Sequence, residues 1–71
     1  MTQHMPVRLL KRQQVEEITT LSRSSIYDMT KRGVFPKPIK IGERAVAWRE
    51  ADIIAWLDAR MAAASGEEVA P

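Results

Sequence analysis

The segment LSRSSIYDMTKRGVFPKPIKIGERAVAW, residues 21–48, carries the clearest secondary-structure signals of the chain. The first signal is Ser22, whose hydroxyl can accept a hydrogen bond from a backbone N–H of the following turn, which is typical of a helix that begins at Arg23. The second is Gly33, which follows two cationic residues and readily adopts the left-handed conformation found after helix ends. The two signals together predict one short helix over residues 22–32.

The rest of the stretch predicts a β-hairpin. Pro36 and Pro38 remove two backbone N–H donors and disfavour helix in the residues before them, so the chain runs extended here. Apolar residues then alternate with other residues on both sides of Gly42, which indicates two strands joined by a loop of about three residues. The hairpin is predicted over residues 38–48, with Arg44 at its tip.

Two further helices are predicted, one on each side of this stretch. Val15 and Ile18 stand three apart among polar residues, which indicates a short amphipathic helix over residues 11–19. Acidic residues after Arg49 favour a first helical turn, and a third helix over residues 50–63 is indicated by apolar residues at helical spacing: Ile53, Trp56, Leu57 and Met61. The short connection between the first two helices is typical of a helix-turn-helix. The predicted fold is mainly α with a small β-hairpin, in the order α-α-β-β-α, a winged helix-turn-helix.

The length of the chain, 71 residues, allows a single domain. We predict that residues 9–63 fold, that residues 1–8 form a flexible N-terminal arm, and that residues 64–71 form a disordered tail. The sequence has no cysteine, so disulfides cannot stabilise the fold. No apolar run approaches the roughly 18 to 20 residues that span a bilayer, and a signal-peptide pattern is lacking, so a cytoplasmic, nucleoid-associated protein is predicted.

Charge is unevenly distributed along the chain. Residues 1–49 carry ten Lys or Arg against four acidic residues, a net charge of +6, whereas residues 50–71 carry one Arg against five acidic residues, a net charge of −4. Such a separation is expected of a protein that binds nucleic acid with one part of its surface.

The predicted helix over residues 22–32 carries a strip of polar side chains on its outer face. With Ile26 turned inward, a step of about 100° per residue brings these to that face: Arg23 at its N-terminal end, Ser24, Tyr27, Asp28 and Lys31. Arginine can bind guanine with two hydrogen bonds, and hydroxyl groups can contact bases or phosphates, so this face suits a DNA major groove. The alternative is an ordinary capped helix with a solvated face.

Asp28 opposes this hypothesis, because a carboxylate on the outer face repels phosphates. It can accept a hydrogen bond from the amino group of a cytosine, or it can pair with Arg32 four residues further on. We predict the ion pair.

The hairpin is the second candidate element for DNA binding. Lys37, Lys40 and Arg44 would line one side and the tip of this two-stranded ribbon, where they could contact the phosphate backbone or enter a minor groove. The alternative is that these charges only protect an exposed edge strand from association. The position of the hairpin after a helix-turn-helix favours the first interpretation.

Candidate residues for catalysis or cofactor binding are few. His4, the one histidine, lies in the polar N-terminal arm, and the serines have no predicted base beside them. We therefore predict no enzymatic activity, no metal, no cofactor and no small-molecule ligand. Trp48 and Trp56 fall on apolar periods, so we expect them to pack in the core and not to stack on single-stranded bases.

Three segments, in this order, resemble the AlpA family of phage and prophage regulators, which is related to excisionases and to the MerR-type winged helix. They are LSRSSIY at 21–27, GVFPKPIKIG at 33–42, and RAVAW at 44–48 followed by the helix that contains Trp56. The resemblance covers residues 9–57 and implies a recognition helix over residues 22–32 and a wing over residues 38–48. It also implies DNA contacts by a set of residues in both elements: Arg23, Ser24, Ser25, Tyr27, Lys31, Lys40 and Arg44.

The function predicted from these observations is that of a sequence-specific regulator of transcription, encoded by a phage, prophage or other mobile element, that binds double-stranded DNA. One alternative is an excisionase that bends DNA for an integrase. Another is a protein-binding inhibitor of a host regulator, acting through the acidic third helix and tail. An integrase and further copies of the chain on repeated sites are the additional partners considered, and a monomer in solution is the expected default.

Overall fold

The computed structural model of the protein describes the backbone of residues 7–69 and the side chains of residues 7–65. Its elements follow in the order β1 (Leu9–Leu10), α1 (Arg12–Thr19), α2 (Arg23–Lys31), β2 (Ile39–Lys40), β3 (Val46–Arg49) and α3 (Glu50–Val69). The three strands form one antiparallel sheet in the order β1-β3-β2. The predicted class, mainly α with a small β-hairpin, is confirmed.

Strand β1 is an element that the sequence did not indicate. It adds a third strand to the hairpin, with Leu9 paired to Arg49 and Leu10 paired to Trp48. Two residues are too few to show an alternating pattern, so the strand can be recognised only from its pairing. The carbonyl of Arg8, a residue that the sequence places in the flexible arm, accepts a hydrogen bond from the N–H of Glu50 (2.9 Å). Residues 1–6 of that arm lie outside the described residues.

The core lies between the helices and one face of the sheet. It consists of six buried side chains: Leu10, Val15, Ile26, Phe35, Trp48 and Ile53. Four half-buried side chains pack against them: Leu21, Met29, Trp56 and Leu57. The prediction that Trp48 belongs to the core is therefore confirmed, and Trp56 packs at its margin.

The inner face of α1 differs from the predicted one. Ile18 is 41% exposed, whereas Thr19 is buried, so the face runs through Val15 and Thr19, which are four residues apart. The hydroxyl of Thr19 donates to the carbonyl of Val15 (2.7 Å) and accepts from the N–H of Leu21 (3.2 Å). These two hydrogen bonds satisfy the polar atom, which allows threonine to replace an apolar residue here.

Helix α3 is longer than predicted, because it continues to Val69. The prediction of a disordered tail from residue 64 is thus wrong for residues 64–69, and Met61, predicted for the core, is 58% exposed. The three alanines at residues 62–64 have the highest helix propensity of all residues, so the helix extends past its last packed turn. No helix among residues 7–69 is long and apolar enough to cross a membrane.

Candidate nucleic-acid interface

Helix α2 begins and ends where its sequence predicts. The Ser22 hydroxyl accepts a hydrogen bond from the N–H of Ser25 (3.1 Å), which caps the N-terminus. At the other end Gly33 has a φ of 78°, and its N–H donates to the carbonyl of Thr30 (3.0 Å). The next N–H, of Val34, donates to the carbonyl of Met29 (2.9 Å), which completes a Schellman motif. Both ends of α2 are therefore fixed by local hydrogen bonds.

The outer face of α2 is formed by the polar residues predicted for it. Ile26 is fully buried, while Arg23, Ser24, Tyr27 and Lys31 are exposed. The guanidinium of Arg23 lies 5.8 Å from the centre of the Tyr27 ring, so the structure brings these two candidates together. Tyr27 and Lys31 border one shallow depression on the helix surface. Ser24 stands beside them without a described hydrogen bond.

Ser25 differs from the other candidates in the recognition helix. It is half-buried, and its hydroxyl accepts a hydrogen bond from the Ser22 hydroxyl at 3.1 Å. The residue thus takes part in the N-terminal cap, which leaves less of its hydrogen-bonding capacity for an external ligand.

The predicted ion pair on this face is present. Arg32 Nε lies 3.3 Å from a carboxylate oxygen of Asp28, and both side chains are about two-thirds exposed. An exposed pair at this spacing stabilises a helix by roughly 0.3–0.5 kcal/mol. The pair also lowers the positive charge of this face, because Asp28 neutralises Arg32. The other two cations of α2, Arg23 and Lys31, have no described ion pair.

The wing is a hairpin whose loop is closed by its own backbone. The N–H groups of Ile41 and Gly42 both donate to the carbonyl of Ala45, at 2.9 and 3.2 Å. Lys40 lies in β2, Arg44 lies in the loop and Lys37 lies in the extended segment before β2, and all three side chains are exposed. The side chains of the three predicted wing cations are therefore accessible to solvent, and Arg44 lies at the tip of the hairpin.

The segment that joins α2 to the wing is fixed by both tryptophans. The indole N–H of Trp56 donates to the carbonyl of Val34 (2.9 Å), and that of Trp48 donates to the carbonyl of Pro36 (3.1 Å). Phe35, between them, is buried and meets the Trp56 ring edge to face, with ring centres 4.8 Å apart. Sequence reasoning missed these two hydrogen bonds, because nothing in a pattern of apolar residues shows where an indole N–H points.

Cations inside and outside the predicted site differ in their partners. Four arginines outside it lie within 3.2 to 3.4 Å of a carboxylate: Arg8, Arg12, Arg32 and Arg49. In the part of the chain that the structure describes, no ion pair involves any of the five cations of the site: Arg23, Lys31, Lys37, Lys40 and Arg44. Seven cations of residues 7–65 thus have no ion pair, and five of them belong to the predicted site. The other two are Lys11 and Arg60, whose guanidinium lies 4.8 Å from the centre of the Trp56 ring.

The surface formed by the described side chains contains no candidate metal site. Among the described side chains, those of residues 7–65, no group of three or more His, Asp or Glu is placed to hold a metal ion. The predicted site is thus a set of exposed cations and hydroxyl groups around a capped helix and a hairpin.

Two helices joined by a short connection, followed by an antiparallel hairpin and a third helix, define a winged helix-turn-helix domain. The family model of the prophage CP4-57 regulatory protein (AlpA) matches residues 8–61, and the chain belongs to this family of regulatory proteins. The sequence resemblance to the AlpA family is thereby confirmed. The match includes every strand, α1, α2 and the packed part of α3.

A relative with no assigned function shows the same phage association. The chain is 36% identical over 55 residues to the uncharacterized protein ORF88 of Enterobacteria phage P4. The aligned region covers 78% of this chain and 62% of that relative, so the chain spans somewhat less than two-thirds of the relative's length.

Proposed function

We propose that this protein is a sequence-specific regulator of transcription for a phage, prophage or other mobile element. It binds double-stranded DNA with α2 in the major groove and with the wing against the phosphate backbone or in the adjacent minor groove. The observation that carries the proposal is that five of the seven cations without an ion pair among residues 7–65 belong to these two elements, while four of the five arginines outside the site are paired with carboxylates.

Unpaired cations matter because much of the affinity for DNA comes from the release of counterions from phosphates. A cation that is already paired with a carboxylate must break that pair before it can contribute. In this protein Lys37, Lys40 and Arg44 are available on the wing and Arg23 and Lys31 on α2. The same two elements are those that a winged helix-turn-helix presents to DNA.

Within α2, the residues nearest the N-terminus are the ones that reach base edges in helix-turn-helix proteins. Arg23 is suited to guanine, and Ser24 to a base or a phosphate. Tyr27 and Lys31, one and two turns further on, contact the phosphates that flank the groove. Arg32 is paired with Asp28, so we assign it no phosphate contact.

The experiment that tests the proposal measures binding of the full chain to duplex DNA from the region upstream of its own gene, over a series of salt concentrations. If the four cations other than Arg23 contact phosphates, the logarithm of the binding constant falls with the logarithm of salt concentration with a slope of about −3.6. A shuffled duplex of the same length should bind much more weakly. Equal binding to both duplexes, or binding that salt does not weaken, contradicts the proposal.

A pair of arginine variants tests the assignment within the site. Arg23→Ala should weaken binding to the upstream duplex by roughly 5- to 150-fold and relax sequence preference, because a bidentate contact to a base is lost. Arg49→Ala, the matched control, removes the same charge from a residue paired with Asp52 and should have a small effect. Similar losses for both variants would show that only net charge matters.

A further inference from the structure

The arginines among residues 7–65 have two kinds of partner. Four of them have a carboxylate oxygen within 3.2 to 3.4 Å of Nε: Arg8, Arg12, Arg32 and Arg49. Two others lie over aromatic rings instead. The guanidinium carbon of Arg60 is 4.8 Å from the centre of the Trp56 ring. That of Arg23 is 5.8 Å from the centre of the Tyr27 ring, whereas Arg44, at the tip of the wing, has neither kind of partner among the described side chains.

The two kinds of partner leave an arginine in different states for a ligand. A carboxylate restrains the guanidinium by neutralising its charge and by accepting hydrogen bonds from its N–H groups. An aromatic ring attracts the guanidinium through its π face, so it limits the motion of the side chain without removing the charge or occupying the donors. Arg23 is therefore restrained and still has its charge and its N–H groups free for a base.

We propose that the ring of Tyr27 holds the guanidinium of Arg23 in position to bind a guanine in the major groove. Tyr27 is then a positioning residue that determines sequence specificity through Arg23. This inference rests on the proposed function, in which Arg23 contacts a base and the hydroxyl of Tyr27 contacts a phosphate. The ring therefore acts on sequence preference, and the hydroxyl acts on overall affinity.

The position of the two residues on α2 supports this assignment. Tyr27 follows Arg23 by four residues, which places both side chains on one face of the helix. Side chains on a helix lean toward its N-terminus, so the Tyr27 ring leans toward Arg23. Tyr27 is 43% exposed, and the covered part of its surface restrains the ring itself. The neighbouring carboxylate of Asp28 is paired with Arg32 and so does not compete with the ring for Arg23.

Restraint of Arg23 before binding lowers the entropic cost of forming its contact with a base. A free arginine side chain loses most of its rotamer freedom when it is fixed in a complex, and a side chain that is already restrained loses less. A cation–π contact at an exposed site corresponds to a change in affinity of roughly 2- to 5-fold. The benefit arises only on a duplex that offers the correct base. Arg44, which has no such restraint, suits the phosphate backbone, where contacts in several positions are equivalent.

Variants of Tyr27 test the inference through discrimination, defined as the affinity for the upstream duplex divided by that for the shuffled duplex. Tyr27→Leu removes the ring but favours helix at least as well, and it should lower discrimination roughly 2- to 5-fold. Tyr27→Phe keeps the ring, so it should weaken binding to both duplexes alike and leave discrimination unchanged. The control is Arg60→Ala, which removes the other arginine over a ring, outside the proposed interface, and should also leave discrimination unchanged.

A double-mutant cycle tests whether the ring acts through Arg23. In the Arg23→Ala background, Tyr27→Leu should cause no further loss of discrimination, because the side chain that the ring positions is already absent. A spectroscopic measurement without DNA tests the contact itself. Side-chain protons of Arg23 should resonate upfield in the wild type and in Tyr27→Phe, because they lie over a ring, and should lose this shift in Tyr27→Leu.

The outcomes separate this inference from the proposed function. If the wild type discriminates between the duplexes and Tyr27→Leu does so equally well, the inference is overturned and the proposed function stands. The same holds if Tyr27→Leu lowers discrimination as much in the Arg23→Ala background as in the wild type, or if the wild type lacks the upfield shift. A wild-type chain that binds both duplexes equally contradicts the proposed function and this inference together.

Discussion

Helices α2 and α3 use the same backbone geometry in opposite ways. Helix α2 has nine residues, its ends are fixed by Ser22 and Gly33, and its outer face is cationic. Helix α3 has 20 residues, packs on the core through Ile53 in its first half and leaves residues 58–65 exposed. Helix α2 is thus defined by local hydrogen bonds at both of its ends, whereas α3 packs on the core with its first half and then continues past the core.

The largest expected effect is a difference in the free energy of unfolding between a substitution on the packed face of α2 and one on the exposed part of α3. Ile26→Ala should lower the free energy of unfolding by about 2–5 kcal/mol, because Ile26 is fully buried and its truncation leaves a cavity in a small core. Met61→Ala should change it by less than about 0.5 kcal/mol, since Met61 is mostly exposed. Urea unfolding followed by circular dichroism measures both. Comparable losses would mean that the second half of α3 is packed in solution.

The next effect concerns the contact through which α3 positions the segment between α2 and the wing. Trp56→Phe keeps a ring beside Phe35 but removes the hydrogen bond to the carbonyl of Val34, which should cost about 1 kcal/mol of stability. Because this segment sets the spacing between α2 and the wing, specific DNA affinity should fall as well, and nonspecific affinity should fall less. Binding is measured well below the unfolding temperature. Ile54→Val, an exposed change on the same helix, is the control and should alter neither quantity.

These two helices also show why some of the structure could be predicted and some could not. The ends of α2 were predictable because Ser22 and Gly33 act on backbone groups within a few residues, and the Asp28–Arg32 pair follows from helical spacing alone. The end of α3 was not, because no capping residue marks it and its extent depends on helix propensity without burial. Ile18 was wrongly placed in the core, since apolar periodicity gave no reason to prefer the hydrogen-bonded Thr19.

The candidate site also has features that the sequence predicted and features that it did not. The exposure of Arg23, Tyr27 and Lys31 follows from the direction of Ile26 along one helix, so sequence was sufficient. The segment between α2 and the wing is held by the indole N–H groups of Trp48 and Trp56, and these contacts between elements could not be read from apolar periodicity. Contacts within one element were thus accessible from the sequence, and contacts between elements were not.

A third prediction tests the charge of the α2 face. Asp28→Asn should raise the affinity for DNA several-fold and make the salt slope steeper by about 1, because it removes a repulsive charge and releases Arg32 to contact a phosphate. The helix loses roughly 0.3–0.5 kcal/mol of stability with the ion pair, which thermal unfolding detects. Asp58→Asn removes the same charge from an exposed position on α3. An equal rise in affinity for both variants would show that net charge, and not the α2 face, determines binding.

The smallest effect concerns the connection that leads into α2. Thr20 ends α1 with a φ of 62°, a left-handed conformation that is rare for a β-branched residue and costs about 1–2 kcal/mol. Thr20→Gly should relieve this strain, and because glycine adds freedom to the unfolded chain, the net gain in the free energy of unfolding should be only about 0.5 kcal/mol. Thr20→Ala keeps a Cβ and should therefore give no gain, which separates relief of strain from loss of the hydroxyl. A gain for alanine equal to that for glycine would mean that the backbone conformation at this position is not strained. A gain for glycine alone would show that the conformation of Thr20 in the short turn lowers the stability of the domain. The ends of α2 differ in this respect, because their own hydrogen bonds stabilise them.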